Sequence, residues 1–430
     1  MNIILAFIAF NVIVIVHELG HFIAAKKLGI KVLEFSLFVG PKLYSIQKGE
    51  TTYSIRLFPI IAYVKMEGEE EASDSDRAFN NKPKYARAIT AFGGPFANLL
   101  LAVILMTVVI SLQGYSTSGV QKVGDNSPAA SAGIRQGDTL LSYDGKRVYM
   151  PLDVMQFLYV SKGTPAEIEF KRDGEKFRKT IIPEKIPEQT AYRLGVSLST
   201  EENENSNVIN ALTPGYPAQK NGLLAGDRII KLDDTEIASG SELVAFLTKS
   251  KDREVVVTAL RNGSEVQVNI IPKVEKIPEQ YDLGIQFTAL KGNLWDSFKQ
   301  SFVFTYSIVR SVGYSIAWLI QGKVGLNQMM GPIGMVNTIS TAVQQGPDFM
   351  AKFILLLNWT AFLSIAIGAT NLVPFPMLDG NRLLLIGIEA VRRKPIKPES
   401  EAYISMVGFV LLILLAIYAG FNDIVRWIKG

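Results

Sequence analysis

The feature that most constrains this chain is an apolar run from Ile3 to Ala25 that carries the only two histidines of the sequence. Before Val16 its only polar residue is Asn11, and it then contains His17-Glu18-Leu19-Gly20-His21. The run is long enough to span a membrane, where ionisable side chains are costly and are retained mostly for function. On a helix, two histidines four residues apart share a face and can hold one metal ion. The run therefore predicts a membrane-spanning helix with two metal ligands, although such a pattern also occurs by chance on ordinary helices.

The rest of this site is predicted from the chemistry of its ligands. Glu18, beside the first histidine, is where a general base is needed to take a proton from an attacking water. The chain has no cysteine, so any further protein ligand must supply oxygen. Asp379 is the best candidate, because it ends an apolar stretch broken by Pro374 and Pro376. We expect one zinc ion per chain at His17, His21 and Asp379, although two histidines and a carboxylate suit several divalent metals. The alternative for Asp379 is a helix cap.

Composition indicates a polytopic α-helical membrane protein with soluble parts, since 48% of the residues are hydrophobic and only 20% are charged. The net charge of +4 is small for 430 residues and gives no indication of a nucleic-acid partner. Four apolar stretches have the length of a transmembrane helix. They cover residues 3–25, 88–112, 353–372 and 403–421. Residues 294–320 are also apolar, but three charged residues interrupt them, so we predict an amphipathic helix on the membrane surface.

Two segments near the predicted site have unusual patterns. Residues 32–66 alternate apolar and polar side chains, which predicts β-hairpins between the first two spans. Such hairpins could offer an edge to an extended peptide; a small hairpin packed on the helices is equally compatible with the pattern. In the second span, Gly93-Gly94-Pro95 precedes Asn98. Asn98 could steady a substrate or transition-state oxygen, while simple helix packing through small residues is the alternative.

The soluble region between residues 116 and 290 contains an internal repeat. The segment from Ser127 to Leu140 matches the segment from Tyr216 to Ile229 at an offset of 89 residues, and the same offset relates Leu194-Gly195 to Leu283-Gly284. This constant register indicates two copies of one domain of about 90 residues. Each copy resembles the PDZ domain, which implies that a peptide or C-terminal segment could bind as an added strand. The alternative is that the two domains act as spacers or size filters.

The basic residues predict the orientation in the membrane. They are concentrated in the loops after the first and third spans, which should therefore be cytoplasmic. The residues concerned are Lys26, Lys27, Lys82, Lys84, Arg87, Arg392, Arg393, Lys394 and Lys397. Four spans then place both termini and the repeats outside, and a fifth span would put one basic loop on the wrong side.

Together these features resemble the site-2 protease family of intramembrane zinc metalloproteases, in particular the bacterial sigma-E regulator type with tandem PDZ domains. The motifs that carry the resemblance are His17-Glu18-Leu19-Gly20-His21, Gly94-Pro95-Phe96-Ala97-Asn98, and Asn371 with Leu378-Asp379-Gly380. The resemblance implies zinc ligands at His17, His21 and Asp379, a catalytic base at Glu18 and a substrate-positioning amide at Asn371. It also implies the division of the chain. The parts are a catalytic membrane part (1–115), two PDZ domains (116–198 and 199–290), a surface helix with linker (291–352) and a second catalytic membrane part (353–430).

The function implied by the resemblance is metalloendopeptidase cleavage within the transmembrane segment of single-span membrane proteins, after a first protease has trimmed them. Anti-sigma factors and remnant signal peptides are the implied substrates, in regulated intramembrane proteolysis during a stress response. The implied location is the bacterial cytoplasmic membrane, with the active site near the cytoplasmic face. Two other functions are alternatives: a catalytically inactive, membrane-anchored PDZ scaffold, and a metal transporter that uses the same three ligands.

The β-region departs from the family at its glycines. Where the family usually has Gly-Phe-Gly-Pro, this chain has Phe38-Val39-Gly40-Pro41. Where the family usually has Pro-x-Gly-Gly-Tyr-Val, this chain has Pro59-Ile60-Ile61-Ala62-Tyr63-Val64. The departures leave the catalytic residues untouched and bear on how the β-region bends and which substrates it accepts.

Overall fold

The structure is a computed structural model that describes residues 2–69, 71, 73–199, 206–213, 215–344, 346, 348–394 and 398–429. Its N-terminal part contains α1 (Asn2–Lys27), β1 (Val32–Lys48), β2 (Thr51–Met66), a short 3-10 turn (Phe79–Asn81) and α2 (Lys84–Gln113). Two lysines and Gly29, with a φ of 69°, follow the apolar part of α1 and end it. Helix α2 begins after Pro83, continues through Pro95 and ends at Gln113, where Gly114 caps it.

The predicted β-hairpin region is present as two long, bent strands. Residues 42–48 of β1 pair with residues 51–56 of β2 around a turn at Gly49. Residues 32–37 of β1 lie between two parts of β2, because Phe35 pairs with both Tyr53 and Val64. Residues 61–66 therefore form one edge of the sheet, while Phe35 and Tyr53 contact Phe22 of α1. Aromatic packing thus fixes the sheet against the helix that carries the two histidines.

The first bend of this sheet lies at Phe38, a position where the family usually has glycine. Phe38 has a φ of 73°, in the left-handed region that costs a residue with a side chain about 1–2 kcal/mol. The bend is therefore kept at an energetic cost. Ile61 and Ala62, which stand where the family has two glycines, are not among the described residues with positive φ, so their side chains cost nothing in backbone strain.

Gly40, the glycine that remains at this bend, is expected to be required there. Its φ is 92°, and a Cβ at this position would lie 2.4 Å from the ring of Phe58. Gly49 is the matched control, since its φ is 63° but no described atom lies within 4 Å of the corresponding position. We expect Gly40→Ala to destabilise the sheet by at least about 2 kcal/mol and Gly49→Ala by about 1 kcal/mol. Amide hydrogen exchange of residues 32–66 in detergent measures both; equal losses would contradict the steric explanation.

The soluble repeats comprise short helices and small antiparallel sheets. In the first repeat these are β3 (Tyr115–Val123), α3 (Pro128–Ser131), β4 (Thr139–Tyr143), β5 (Lys146–Arg147), α4 (Pro151–Ser161), β6 (Ala166–Arg172), β7 (Glu175–Ile181), β8 (Glu184–Ile186), β9 (Gln189–Arg193) and β10 (Val196–Leu198). In the second they are β11 (Ile209–Leu212), α5 (Pro217–Lys220), β12 (Arg228–Leu232), β13 (Thr235–Glu236), α6 (Gly240–Ser250), β14 (Val255–Arg261), β15 (Ser264–Ile270), β16 (Lys273–Ile277), β17 (Gln280–Asp282) and β18 (Ile285–Leu290).

The two repeats exchange their C-terminal strands. Strand β18 of the second repeat pairs with β3 of the first, and β10 of the first repeat pairs with β11 of the second. The cores follow the same exchange, because Leu283 packs in the core of the first unit and Leu194 in that of the second. Strand pairing therefore crosses the predicted boundary at 198/199 in both directions. The boundary stays a prediction, and the second unit is nested within the chain of the first.

Each repeat is braced by the same buried ion pair. Asp227 is only 1% exposed. Its carboxylate accepts two hydrogen bonds of 2.8 Å from the Arg261 guanidinium and a third from the Leu224 N–H. Asp138 and Arg172 repeat this arrangement in the first unit. The bonds from Arg261 hold the pKa of the Asp227 carboxyl below its usual value of 3.8.

We expect this ion pair to make the stability of the second unit sensitive to acid. Because the pKa is lower in the folded state, its contribution is complete above the unfolded value of 3.8 and is lost as the pH falls through the folded value. Arg261→Gln removes the charged partner of the buried Asp227 carboxylate, which keeps only the Leu224 N–H, and should lower the free energy of unfolding near neutral pH by about 1–3 kcal/mol. Arg253→Gln, which breaks an exposed pair with Asp233, should cost less than about 1 kcal/mol. Amide hydrogen exchange between pH 7 and pH 3 measures the stability of both variants. Similar losses of stability in Arg261→Gln and Arg253→Gln would contradict a special role of the Asp227–Arg261 pair.

The C-terminal part contains α7 (Leu294–Ile320), a 3-10 turn (Leu326–Gln328), α8 (Pro332–Gln344), α9 (Phe349–Asn371), α10 (Asp379–Arg392) and α11 (Pro398–Lys429). Within the described residues, five helices are long and apolar enough to cross a membrane. Four of them, α1, α2, α9 and α11, correspond to the predicted spans. The fifth is α7, which was predicted as a surface helix.

Candidate metal centre

Helix α1 brings its two histidines together on one face. Their Nε2 atoms are 3.2 Å apart, and each side chain is 11% exposed. His21 Nδ1 lies 2.8 Å from the carbonyl oxygen of Thr90 in α2. A carbonyl can only accept, so Nδ1 of His21 carries a proton; in the neutral imidazole that metal binding requires, Nε2 then presents a lone pair to the site.

Asp379 reaches the same place from the far end of the sequence. Helix α9 ends at Asn371, the prolines at 374 and 376 prevent its continuation, and Asp379 is the first residue of α10. Its Oδ2 lies 3.2 Å from His17 Nε2 and 3.4 Å from His21 Nε2. Gly380 is needed at this turn, because a Cβ there would lie 2.3 Å from the carbonyl oxygens of Leu372 and Val373. The structure thus brings together the three ligands predicted from the sequence.

The donor atoms have the spacing that a tetrahedral zinc ion requires. Bonds of about 2.0–2.2 Å to nitrogen and oxygen place neighbouring ligands about 3.4 Å apart. The three separations here are 3.2, 3.2 and 3.4 Å. Two imidazoles and one carboxylate also match the ligand set of catalytic zinc sites, which keep a fourth position open. The residues therefore fit zinc, and their role as ligands stays a prediction.

Glu18 lies between the two histidines and the β-sheet. Its Oε2 accepts a hydrogen bond of 3.1 Å from the backbone N–H of Val64, on the edge segment 61–66. The outer side of that edge therefore faces the site. A carboxylate in this position is available as a base to a reactant held between the histidines and the sheet.

Glycines allow α1 and α2 to approach closely enough to form the site. A Cβ on Gly20 would lie 2.2 Å from the carbonyl oxygen of Gly93, and a Cβ on Gly94 would lie 2.2 Å from His21 Nε2. The small residues of α2 thus allow the backbones of the two helices to approach closely. Their importance for the imidazoles was not predicted, because it depends on how the two helices cross.

The two predicted amides lie in different surroundings. Asn98 is fully buried on α2, with its Nδ2 3.3 Å from His17 Nδ1. Asn371 is half-buried at the end of α9, before the turn that leads to Asp379. Their assignment to substrate positioning is not tested by these contacts. Sequence reasoning missed Thr90, which acts through its backbone carbonyl and so leaves no signal in its side-chain type.

Known proteins align with this chain over nearly its whole length. A profile of peptidase family M50 matches residues 5–415. Zinc metalloprotease RasP of Shouchella clausii is 30% identical over 448 aligned residues, which cover 99% of both chains. Zinc metalloprotease RasP of Oceanobacillus iheyensis is 29% identical over 454 residues, again covering 99% of both. Among solved structures, an HtrA3 PDZ domain bound to a phage-derived ligand aligns with 21% of this chain and 91% of that domain, at 18% identity and a TM-score of 0.18.

These findings confirm the resemblance noted in the sequence. The family profile covers nearly the entire chain, and the relatives that match from end to end are named zinc metalloproteases, which implies zinc as the metal. The apolar helices agree with a membrane protein. The chain belongs to peptidase family M50 and is a metalloendopeptidase.

Proposed function

We propose that this enzyme hydrolyses a peptide bond within the transmembrane segment of single-span membrane proteins. The observation that carries the proposal is the position of the site. His17 and His21 lie on an apolar helix long enough to span a membrane, and Asp379 joins them directly after another. A substrate must therefore reach the catalytic groups from within or beside the bilayer.

The roles of the residues follow from their geometry. His17, His21 and Asp379 would hold one zinc ion, and Glu18 would act as the general base. When bound, zinc supplies Lewis acidity that polarises a carbonyl and makes a water molecule more acidic. Glu18 takes the proton of the attacking water and returns it to the nitrogen of the leaving amine. Burial of the three ligands limits the access of bulk water and strengthens these interactions.

The edge segment 61–66 is proposed to receive the substrate. A transmembrane helix uses its carbonyls in internal hydrogen bonds, so it must unwind locally before a water can attack. An unwound stretch can pair with a sheet edge as an added strand, once it displaces the Glu18 and Glu69 carboxylates that accept from the N–H groups of Val64 and Met66. The bond between the Val64 N–H and Glu18 supports this arrangement, because it directs the edge towards the base. We assign Asn371 to the positioning of the opened substrate.

We infer four membrane crossings, with α7 at the membrane surface. The first half of α7 packs on α2, where Thr107 donates a hydrogen bond of 3.1 Å to Ser301. Its middle packs between α2 and α9, where Ile308 contacts Ala102 and Ile365. Its last turns lie against the first repeat, where Arg310 pairs with the buried Asp153 at 2.7 Å and Trp318 enters the core. A helix whose last turns are packed on a water-soluble domain has no need to cross the whole bilayer. Lys397, one of the basic residues used to predict orientation, lies outside the described residues.

The orientation then follows the basic loops, with both termini and the repeats outside the cytoplasmic membrane of a bacterium. The paired repeats would exclude substrates that still carry bulky exterior domains, or would capture a peptide in one of their grooves. Cleavage would come second, after another protease has removed the exterior part. Anti-sigma factors are the proposed substrate class, and remnant signal peptides are a second one.

A reconstituted cleavage assay tests this function. The purified enzyme is placed in lipid vesicles with a single-span substrate, either trimmed on the outside or carrying its full exterior domain. We expect cleavage of the trimmed substrate, loss of cleavage with a zinc chelator, and recovery when zinc is restored. Chelator-resistant cleavage would contradict the metal mechanism. Equal cleavage of both substrates would contradict the size filter.

A further inference from the structure

Asn98 lies on the outer side of His17 in the proposed metal site. Its side chain is fully buried on α2, and its Nδ2 is 3.3 Å from His17 Nδ1. Its Oδ1 is also buried and has no hydrogen-bond partner among the described residues. An unpaired buried acceptor costs about 1–3 kcal/mol, so this carboxamide is expected to have a partner that compensates for it.

The proton on His17 determines which end of the amide can face it. The Nε2 of His17 points into the site, 3.2 Å from both His21 Nε2 and Asp379 Oδ2. To bind a metal through Nε2, the neutral imidazole must carry its only proton on Nδ1. An Nδ1–H facing the NH₂ group of Asn98 would set two donors against each other. A half-turn of the amide exchanges its two ends, so that Oδ1 accepts this proton and NH₂ takes the position in which Oδ1 had no partner.

His21 already shows the corresponding arrangement. Its Nδ1 faces the Thr90 carbonyl at 2.8 Å, so the proton lies on the outer nitrogen and the inner nitrogen is free. Both outer partners come from α2, which packs closely against α1 through Gly20 and Gly93. Ser364 of α9 donates a hydrogen bond of 2.8 Å to the backbone carbonyl of Asn98, and this bond does not involve the side-chain amide. One helix can therefore orient both imidazoles.

We propose that Asn98 is a positioning residue that orients His17 for metal binding, with its Oδ1 accepting the Nδ1 proton. This replaces the substrate-positioning role predicted for Asn98 from the sequence, and it rests on the metal site proposed above. Outer partners of this kind typically change metal affinity about 10–100-fold when they are removed. The change in zinc affinity is expected even without substrate. A residue that only positions the substrate would not change zinc affinity in that state.

The test measures zinc affinity of the purified full-length chain by competition with a chromophoric chelator, without substrate. We expect Asn98→Leu, which has a similar shape and no acceptor, to bind zinc about 10–100-fold more weakly. Asn98→Asp, which offers only acceptors, should bind at least as tightly as the wild type. Ser364→Ala, which disturbs the same contact between α2 and α9 without removing the amide, should stay within about threefold.

A second readout reports the proton itself. In zinc-loaded protein labelled with ¹⁵N-histidine, the Nδ1 of His17 should be protonated and hydrogen-bonded in the wild type and in Asn98→Asp. Unchanged zinc affinity in Asn98→Leu, or affinity in Asn98→Asp as weak as in Asn98→Leu, would overturn the proposal. If the wild type binds no zinc, the metal site as a whole is wrong, and that outcome is distinct from the failure of Asn98 alone.

Discussion

Replacing Glu18 with glutamine is expected to lower kcat/KM for peptide-bond hydrolysis about 10³-fold while leaving the bound zinc unchanged. Glutamine keeps the shape of the side chain, and its carbonyl oxygen can still accept the hydrogen bond from the Val64 N–H. It cannot accept a proton from an attacking water. The change therefore removes the base and preserves the contact between α1 and the sheet edge.

The measurement compares single-turnover cleavage and zinc content of Glu18→Gln with those of the wild type. Glu50→Gln is the control, because Glu50 lies outside the site and pairs with Lys26 and Arg77 on the surface. It should cleave within about twofold of the wild type, since exposed ion pairs contribute little. Wild-type rates in Glu18→Gln would mean that another group supplies the base.

Gly94→Ala is expected to abolish zinc binding, and activity with it. The added Cβ would lie 2.2 Å from His21 Nε2 and 2.8 Å from His17 Cε1, much closer than a carbon can approach. The imidazoles cannot both keep their position, and a displacement of about 1 Å is enough to lose a metal-site geometry. We expect zinc affinity to fall at least about 100-fold, measured by chelator competition.

Gly387→Ala is the matched control for this substitution. Gly387 is also in a helix, α10, which begins at Asp379, but no described atom lies within 4 Å of the added Cβ. Alanine there should leave zinc affinity unchanged and stabilise the helix by up to about 1 kcal/mol. If Gly94→Ala bound zinc as tightly as Gly387→Ala, the packing of α1 against α2 described here would be wrong.

Much of the site could be predicted because its chemistry is unusual for its surroundings. Two histidines and an aspartate beside apolar spans are conspicuous, and the structure brings all three within 3.4 Å of one another. The internal repeat was also visible, since an offset of 89 residues relates even Arg172 to Arg261. Such signals depend on residue types and spacing, and both can be read from the chain.

Other features depend on how elements meet in three dimensions. The exchange of β10 and β18 between the repeats leaves their spacing unchanged, so the repeat pattern cannot reveal it. The contact of Gly94 with the imidazoles depends on the crossing of two helices, and the Thr90 carbonyl could belong to any residue type. The ion pair between Arg310 and Asp153 could not be predicted either. Charged residues inside an apolar run indicate a surface helix, but they do not show which residue each charge contacts.

The proposed function places hydrolysis within a transmembrane segment. Its most direct test is to map the cut by mass spectrometry in a trimmed single-span substrate, reconstituted with zinc-loaded wild type and with Glu18→Gln as the blank. We expect new termini inside the apolar span, formed only by the wild type. Cleavage confined to the soluble flanks of the substrate would contradict it.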